Sequence, residues 1–305
     1  MSKDFTCPPV LLLGFNRPNL LRKAALAALS AQPEAAYIVI DGPRPDRPKE
    51  EQLCQNAFDT VTNLAWPCPV YPILREKNLG CQNSVSDAIT WFFSEVEYGV
   101  ILEDDCVPDP SFFRYCKEML LKYKDDPRVG CITGDNFQPT VNARSDSYYF
   151  SRYPHCWGWA TWRRCWQWFD FQMTSQRSDM DTAREMGCTQ REAAYWAGKF
   201  RGLRQGTINT WDYRWLWSLW NVGAATVTPR VNLVENVGFG DDATHTRYRK
   251  RVPKAQSLDF PLRHPKMFEL NRRADAIVAR RHYGISAFRP LRVAGSKALQ
   301  IVRRR

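Results

Sequence analysis

Short apolar runs alternate with amphipathic stretches along the first hundred residues. The segments PPVLLLGF, AYIVIDGPRP, CPVYPIL and YGVILE are predicted to be buried strands because they are short, apolar and bounded by turn residues. Between them, NLLRKAALAALS, residues 47–58 and NSVSDAITWFFSEV are predicted to be helices. Pro18 would start the first helix, and Asn83 or Ser84 would cap the third. This alternation predicts an α/β fold with a mostly parallel sheet flanked by helices.

The pattern changes in the second part of the chain. PDPSFFRYCKEMLLKY predicts a helix, RVGCITGD a strand, TWDYRWLWSLWNVG a tryptophan-rich helix, and GAATVTPRVNLVENVGFGDDATHT strands followed by a glycine-rich loop. From residue 247 the chain is basic and has little apolar periodicity. We therefore predict one domain over residues 1–246, with halves meeting at 135/136, and a basic C-terminal extension over 247–305.

Composition restricts the kinds of partner and compartment. The 305 residues carry 43 Lys and Arg against 32 Asp and Glu, a formal net charge of +11 that favours anionic partners. No nucleic-acid-binding motif accompanies this charge, so nucleic acid is not expected as a partner. The N-terminal apolar run is too short for an export signal, and the 10 cysteines lack metal-site spacing. A cytoplasmic protein with reduced thiols is expected.

Three carboxylates stand together at the end of the fourth predicted strand. Glu103, Asp104 and Asp105 follow VIL directly, and such close like charges are costly unless a cation or hydrogen-bond donors compensate them. Mn²⁺ or Mg²⁺ shared with a ligand's phosphates would do so. The alternative is a solvated acidic turn before the helix that begins near Pro110. Ligands of parallel sheets bind at the carboxyl ends of strands, and three more polar residues are predicted there: Asn16, Arg17 and Asp41.

A second candidate binding element is the loop REKNLGCQNS ahead of the third helix. Lys77 and Asn78 would face a phosphate group, and Gly80 would allow close backbone approach at a helix N-terminus. An ordinary strand-to-helix loop with surface charges explains the same residues equally well. No GxGxxG or GxxxxGK[ST] motif is present, which disfavours dinucleotide and P-loop sites.

Aromatic residues dominate the second half. The spacing of most of its tryptophans is near-helical and indicates core packing. Indole rings also stack on sugars, and Trp157, Trp159 and Trp211 are the candidates to line such a site. His245, one of only 4 histidines, follows GFGDDAT and is a candidate metal ligand, although a solvated loop histidine is the alternative.

These segments together resemble GT-A glycosyltransferases, particularly the N-acetylglucosaminyltransferase I type, and bacterial proteins described as nucleotide-diphospho-sugar transferases or haemolytic proteins. The resemblance runs through VLLLGFNRP, VILEDDCVPDPSFFRYC, HCWGWATWRRCW, NTWDYRWLW and GFGDDATHT, about four fifths of the chain. It implies a GT-A, Rossmann-like fold with a donor-binding half (1–135) and an acceptor half (136–246). It also implies bacterial polysaccharide biosynthesis as the setting.

Roles follow from the resemblance by position. Arg17 would contact the nucleotide, Asp41 would accept a hydrogen bond from the base, commonly uracil, and Glu103 and Asp104 would hold the ribose and sugar. Asp105 would ligate the metal together with His245. The sequence lacks a strict DxD, so the resemblance does not fix which of the three carboxylates binds the metal.

The resemblance and the chemistry of inversion both point to Asp212. A base must lie across the sugar from the leaving diphosphate, apart from residues 103–105. Asp212 opens the tryptophan-rich helix and matches the catalytic aspartate of that pattern, although Tyr213 stands where the pattern has a second acid. Asp212 acting only as a helix cap is the alternative, with Asp241 and Asp242 as fallback bases.

The expected function is a metal-dependent, inverting glycosyltransferase. It would move a sugar from a nucleotide-diphosphate donor, with UDP favoured, to a glycan or lipid-linked acceptor. A nucleotidylyltransferase of sugar phosphates is the nearest alternative. A non-enzymatic protein that binds polyanions or membranes is the other. The basic C-terminus is expected to give peripheral contact with an anionic inner membrane, and a solvated tail is the alternative.

Overall fold

The computed structural model describes residues 6–138, 146–238 and 253–285. In this part of the chain, ten strands and nine helices are present. The strands are β1 (Val10–Gly14), β2 (Ala36–Ile40), β3 (Val70–Leu74), β4 (Tyr98–Glu103), β5 (Cys106–Pro108), β6 (Val129–Thr133), β7 (Tyr148–Ser151), β8 (Trp159–Trp162), β9 (Ala225–Pro229) and β10 (Val234–Asn236). The helices are α1 (Pro18–Ser30), α2 (Glu50–Thr62), α3 (Cys81–Glu95), α4 (Pro110–Lys122), α5 (Arg163–Trp166), α6 (Asp179–Glu185), α7 (Gln190–Arg204), α8 (Asp212–Asn221) and α9 (Arg272–Arg281).

A single eight-stranded sheet, in the order β3-β2-β1-β4-β8-β6-β9-β7, forms the centre of the molecule. The neighbours from β3 to β4 are parallel, β8 is antiparallel to both β4 and β6, and β7 is antiparallel to β9. Since β6 and β9 are parallel to each other, six of the eight strands point the same way. The prediction of an α/β fold with a mostly parallel sheet is confirmed.

Apolar sequence explains the central strands. Every residue of β2 and β6 is buried, as is expected of strands covered on both faces by helices. The helix after β1 begins at Pro18, as predicted, and the third helix does not begin where predicted. It starts at Cys81 after Gly80, whose positive φ of 76° a glycine accepts readily, so Asn83 and Ser84 lie inside the helix.

The tryptophan-rich half builds much of its own core. A second cluster of buried side chains, centred on Trp196, Trp217 and Trp220, joins α6, α7, α8 and α9. The prediction that the earlier tryptophans pack in the core is confirmed for Trp159 and Trp162, which are 0% and 3% exposed. Both lie on the fully buried strand β8 and not on a helix, so their near-helical spacing does not reflect a helix.

The described part of the predicted C-terminal extension packs onto the domain. Leu258 and Leu262 belong to the main core, and Val278 belongs to the second cluster. The buried carboxylate of Asp275 on α9 accepts a hydrogen bond of 2.6 Å from the Ser151 hydroxyl. Residues 253–285 are thus fixed by contacts with the body of the protein. Among the helices that the structure describes, none is long and apolar enough to cross a membrane.

Candidate active site

A cavity of about 430 Å³ opens where β1, β2 and β4 end, and it gathers most of the predicted donor-binding residues. Parallel strands place their carboxyl ends at one edge of the sheet, so side chains distant in sequence meet there. The predicted residues that line it are Asn16, Arg17, Asp41, Asn78, Gly80, Glu103, Asp104, Asp105 and Trp157. Apolar side chains complete the wall: Leu13 of β1, Phe15 directly after β1, Val39 of β2 and Val85 of α3.

Arg17 compensates the acidic turn from within the protein. Its Nε donates to Asp104 Oδ2 at 3.0 Å, and its Nη2 donates to Asp104 Oδ1 and, at 3.0 Å, to Asp105 Oδ2. Asp104 is buried, whereas the side chain of Asp105 is 16% exposed. Burial raises the pKa of Asp104 to about 6 even though the nearby Arg17 lowers it. The two aspartates therefore differ: Asp104 is committed to Arg17, and Asp105 faces the cavity more openly.

Glu103 is the least compensated of the three acids. Burial raises the pKa of Glu103 well above its usual range, and the charges of Asp105, Asp104 and Asp212 raise it further. Arg17 acts in the opposite direction but does not cancel these effects. A carboxyl group in such surroundings is stabilised in its neutral form, in which it can donate a hydrogen bond to a ligand.

Asp41 organises the loop between β3 and α3. Its Oδ1 accepts hydrogen bonds from the backbone N–H of Gly42 at 3.0 Å and of Leu79 at 3.1 Å, and its Oδ2 accepts one from Asn78 Nδ2 at 3.0 Å. Burial raises the pKa of Asp41, and the two backbone donors at Leu79 and Gly42 lower it. Asp41 thus holds Asn78 and Gly80 against the cavity, in addition to lining it. Lys77 is exposed and does not line the cavity, which leaves its predicted phosphate contact without structural support.

Gly42 allows the two loops to approach closely. A Cβ at residue 42 would lie 2.4 Å from the carbonyl carbon of Lys77 and 2.5 Å from its nitrogen, and backbone atoms cannot move aside as a flexible side chain would. We expect Gly42→Ala to displace the loop, lower stability by about 1–3 kcal/mol and weaken nucleotide binding. Urea unfolding and calorimetric titration with UDP measure the two effects.

Gly198 provides the matched control for this substitution. It lies within α7, and a Cβ there would meet nothing within 4 Å. Gly198→Ala should raise stability by roughly 0.5–1 kcal/mol because alanine favours the helix, and it should leave UDP binding unchanged. Wild-type stability and UDP affinity in Gly42→Ala would show that the loop accommodates the extra methyl group.

The described residues fit a metal held mainly by a ligand's phosphates. Among them, no group of three or more His, Cys, Asp or Glu side chains could hold a metal ion. Asp105 offers a partly exposed carboxylate whose Oδ1 accepts a hydrogen bond of 3.1 Å from Asn236 Nδ2. Mg²⁺ in nucleotide sites commonly takes one or two carboxylates together with phosphate oxygens and water. The predicted ligand His245 lies outside the described residues, as do Asp241 and Asp242.

Asp212 lies near the cavity on the side of the acceptor half. It is the first residue of α8, whose N-cap is Trp211, and no side chain caps this helix N-terminus. Its Oδ1 accepts a hydrogen bond from the Thr210 hydroxyl. The charge of Asp212 adds to the effect of burial in raising the pKa of Glu103 and of Cys81, both of which line the cavity. Asp212 does not itself line the cavity, but Asn209, three residues before it in the chain, does.

Of the three tryptophans predicted to contact an acceptor, only Trp157 borders the cavity. Its backbone N–H donates at 2.9 Å to Asp135 Oδ2, a fully buried carboxylate at the end of β6. The prediction does not fit Trp159 and Trp211, which are 0% and 3% exposed. Their rings stack on each other with centroids 5.7 Å apart, and their burial leaves neither ring accessible to a sugar.

Several residues of the cavity escaped the sequence analysis. Arg44 lines it and lies 5.6 Å above the ring of Phe15, while its guanidinium pairs with the buried carboxylate of Glu50. Asn209 and Asn236 reach it from the second half of the chain. Arg44 directly follows the strand-end motif Asp-Gly-Pro, and this position in the sequence could have identified it as a cavity residue.

Comparison with known proteins adds little to this geometry. No family model and no curated protein matches the sequence. A structure of apo UDP-glucose pyrophosphorylase is 9% identical over 74% of this chain and 93% of that chain, with a TM-score of 0.36. The 4-diphosphocytidyl-2C-methyl-D-erythritol synthase of Anaerococcus prevotii is 10% identical over 57% of this chain and 78% of that chain, with a TM-score of 0.35. Scores this low support no statement about the activity of this chain.

Proposed function

We propose that this protein is a metal-dependent, inverting glycosyltransferase that moves a sugar from a nucleotide diphosphate, with UDP favoured, to a glycan or lipid-linked acceptor. The observation that carries the proposal is the single cavity where Arg17, Asp41 and the acids at 103–105 meet, with Asp212 nearby from the other half. A donor and an acceptor hydroxyl need such a two-sided site.

The donor would bind at the strand ends. The base and ribose would occupy the region of Phe15, Asp41 and Arg44, where aromatic, carboxylate and guanidinium groups line one wall. The first turn of α3, which follows Gly80 and has no side-chain cap, provides backbone N–H groups that favour phosphate. When bound, Mn²⁺ or Mg²⁺ at Asp105 would neutralise charge on the leaving diphosphate.

Three side chains of the protein would orient the donor, accept the proton and contact the acceptor. Glu103, which lines the cavity, would hydrogen-bond to the donor and orient it. Asp212 would take the proton from the acceptor hydroxyl as the new bond forms, from the side opposite the diphosphate. Trp157 would offer its indole to the acceptor at the border between the two halves.

The nearest rival, a nucleotidylyltransferase, would use the same strand ends. Only Phe15, Asn16 and Arg17 connect β1 to α1, and Pro18 at the start of the helix removes one N–H from its N-terminus. This connection is short and has no glycine-rich segment. It therefore provides few backbone donors for the triphosphate that a nucleotidylyltransferase must bind.

Ligand-induced stabilisation tests the proposal directly. UDP-, GDP-, dTDP- and CMP-sugars are screened by thermal shift with and without Mn²⁺, since a ligand at a hundredfold excess over Kd adds about 2.7 kcal/mol. The stabilising compound is then incubated with the protein alone. Slow release of the nucleoside diphosphate is expected. Formation of pyrophosphate from a nucleoside triphosphate and a sugar 1-phosphate would replace the proposal by the rival activity.

A further inference from the structure

Helix α9 has two faces of opposite character. Its buried face consists of Ala274, Asp275, Val278 and Ala279, which recur with the period of an α-helix and pack against the body of the protein. Its outer face carries four exposed arginines, namely Arg272, Arg273, Arg280 and Arg281. We call these four residues the basic face of α9.

The inner contacts fix the orientation of this helix. Asp275 is 1% exposed, and besides Ser151 its carboxylate accepts a hydrogen bond from the backbone N–H of Arg152 and lies 3.7 Å from Arg152 Nε. Arg152 also pairs with the buried Glu192 at 3.2 Å. Asp275 is the only acidic residue of α9, and it points inward. The basic face therefore has no acidic residue within its own helix to offset it.

No ion pair offsets the positive charge of this face within the described residues, and the nearest acid before it along the chain is the exposed Glu269, three residues before Arg272. None of its four arginines forms an ion pair with any carboxylate that the structure describes. Shortly before the helix, Met267 is 66% exposed beside the exposed Lys266. Residues 286–305 then add six basic residues and no acidic one to the sequence that follows α9.

We propose that the basic face of α9 binds the surface of an anionic phospholipid bilayer. Arginines spread along the outer side of one helix complement an extended negative surface. An exposed apolar side chain next to them adds burial at the headgroup boundary. The contact is electrostatic and peripheral, so raised salt should release it.

The position of the helix gives this contact a consequence for the site. His282 follows α9 directly, and its ring stacks on Phe137 at 4.1 Å. Phe137 in turn contacts the ring of Trp157, 5.0 Å away at the cavity. A bilayer bound at α9 would therefore be connected to the acceptor side of the cavity through these two ring contacts. This consequence rests on the proposed function, and it favours an acceptor carried by a lipid.

Vesicle flotation of the full chain tests the proposal. Wild type should bind vesicles of phosphatidylcholine mixed with phosphatidylglycerol, and it should not bind phosphatidylcholine alone. Each arginine near such a surface contributes about fivefold to binding, so replacing Arg273, Arg280 and Arg281 by Gln should weaken it roughly a hundredfold. The stems of these side chains are exposed, so the melting temperature should not change.

A second triple variant removes the same charge elsewhere. Arg22 and Lys23 of α1, with Lys49, are exposed and lie over the opposite part of the sheet, and their replacement by Gln should leave vesicle binding intact. If both triple variants lost vesicle binding equally, the binding would depend on net charge and not on the basic face of α9, and the proposal would fail. Unchanged binding in the α9 variant, or binding to RNA in place of vesicles, would also overturn the proposal. Release of nucleoside diphosphate in solution should be the same in wild type and in both variants. This assay tests the proposed function and vesicle flotation tests the membrane contact, so the two proposals can fail independently.

Discussion

Asp212→Asn should reduce sugar transfer by a hundredfold or more while leaving donor binding and the melting temperature near those of wild type. An amide has nearly the size of the carboxylate but cannot accept a proton from the acceptor hydroxyl, and general-base catalysis commonly contributes 10²–10⁴-fold. The Thr210 hydroxyl can still donate to the amide oxygen, so the start of α8 should persist. Transfer is measured with the nucleotide sugar and acceptor identified in the screen.

Asp179→Asn is the matched control because Asp179 is also the first residue of its helix, α6. Its carboxylate pairs with Arg204 at 2.7 Å and accepts a hydrogen bond from Trp217 Nε1. This variant should lose stability and keep its transfer rate per folded molecule. If Asp212→Asn transfers sugar at close to the wild-type rate, then Asp212 is structural and the base must be sought elsewhere.

The part of the site that the sequence predicted depends on local pattern alone. Apolar runs ending in Arg17, Asp41 and residues 103–105 identify strand ends, and parallel strands bring those ends together. In the structure these residues line one cavity, as their positions at the strand ends predict. Their roles in binding and catalysis remain predictions that the variants described above and below can test.

The rest of the site depends on contacts between distant parts of the chain. Asn236 reaches Asp105 across 131 positions, and Asp275 reaches Arg152 across 123. Nothing in the local pattern around either pair indicates its partner. For the same reason the stretch after residue 247 reads as a basic extension, although its described part is packed against β7 and the core.

The tryptophans illustrate a different limit. Trp159 and Trp211 have the residue type that a sugar site needs, but the type does not say which face of a strand or helix meets solvent. Their mutual stacking depends on β8 lying between β4 and β6, an antiparallel insertion into a parallel sheet. Trp157 escapes burial because it precedes β8 and is held at the cavity by the buried Asp135.

We predict that Asp105, and not the adjacent Asp104, binds the metal. Asp105→Asn should therefore abolish the Mn²⁺-dependent part of UDP binding. Asp105 is the more exposed of the two, and only its Oδ2 accepts a hydrogen bond from Arg17. Asparagine has one acceptor oxygen, so it can accept from the Asn236 amide or from Arg17 Nη2 but not from both, and it removes one charge from a crowded acidic turn. These two effects oppose each other, and the melting temperature without metal should therefore change little. Calorimetric titration of UDP with and without MnCl₂ measures the effect.

Asp104→Asn should behave in the opposite way. Both oxygens of Asp104 bind Arg17, and Asp104 is only 4% exposed. Breaking a buried pair typically costs about 3–5 kcal/mol because the remaining charge loses its partner. Here Asp105 still accepts from Arg17, so a loss nearer the lower value is expected, with Mn²⁺ dependence retained in the molecules that fold. An unaltered response to Mn²⁺ in Asp105→Asn, with loss of that response in Asp104→Asn, would assign the metal to Asp104 and Arg17 to Asp105.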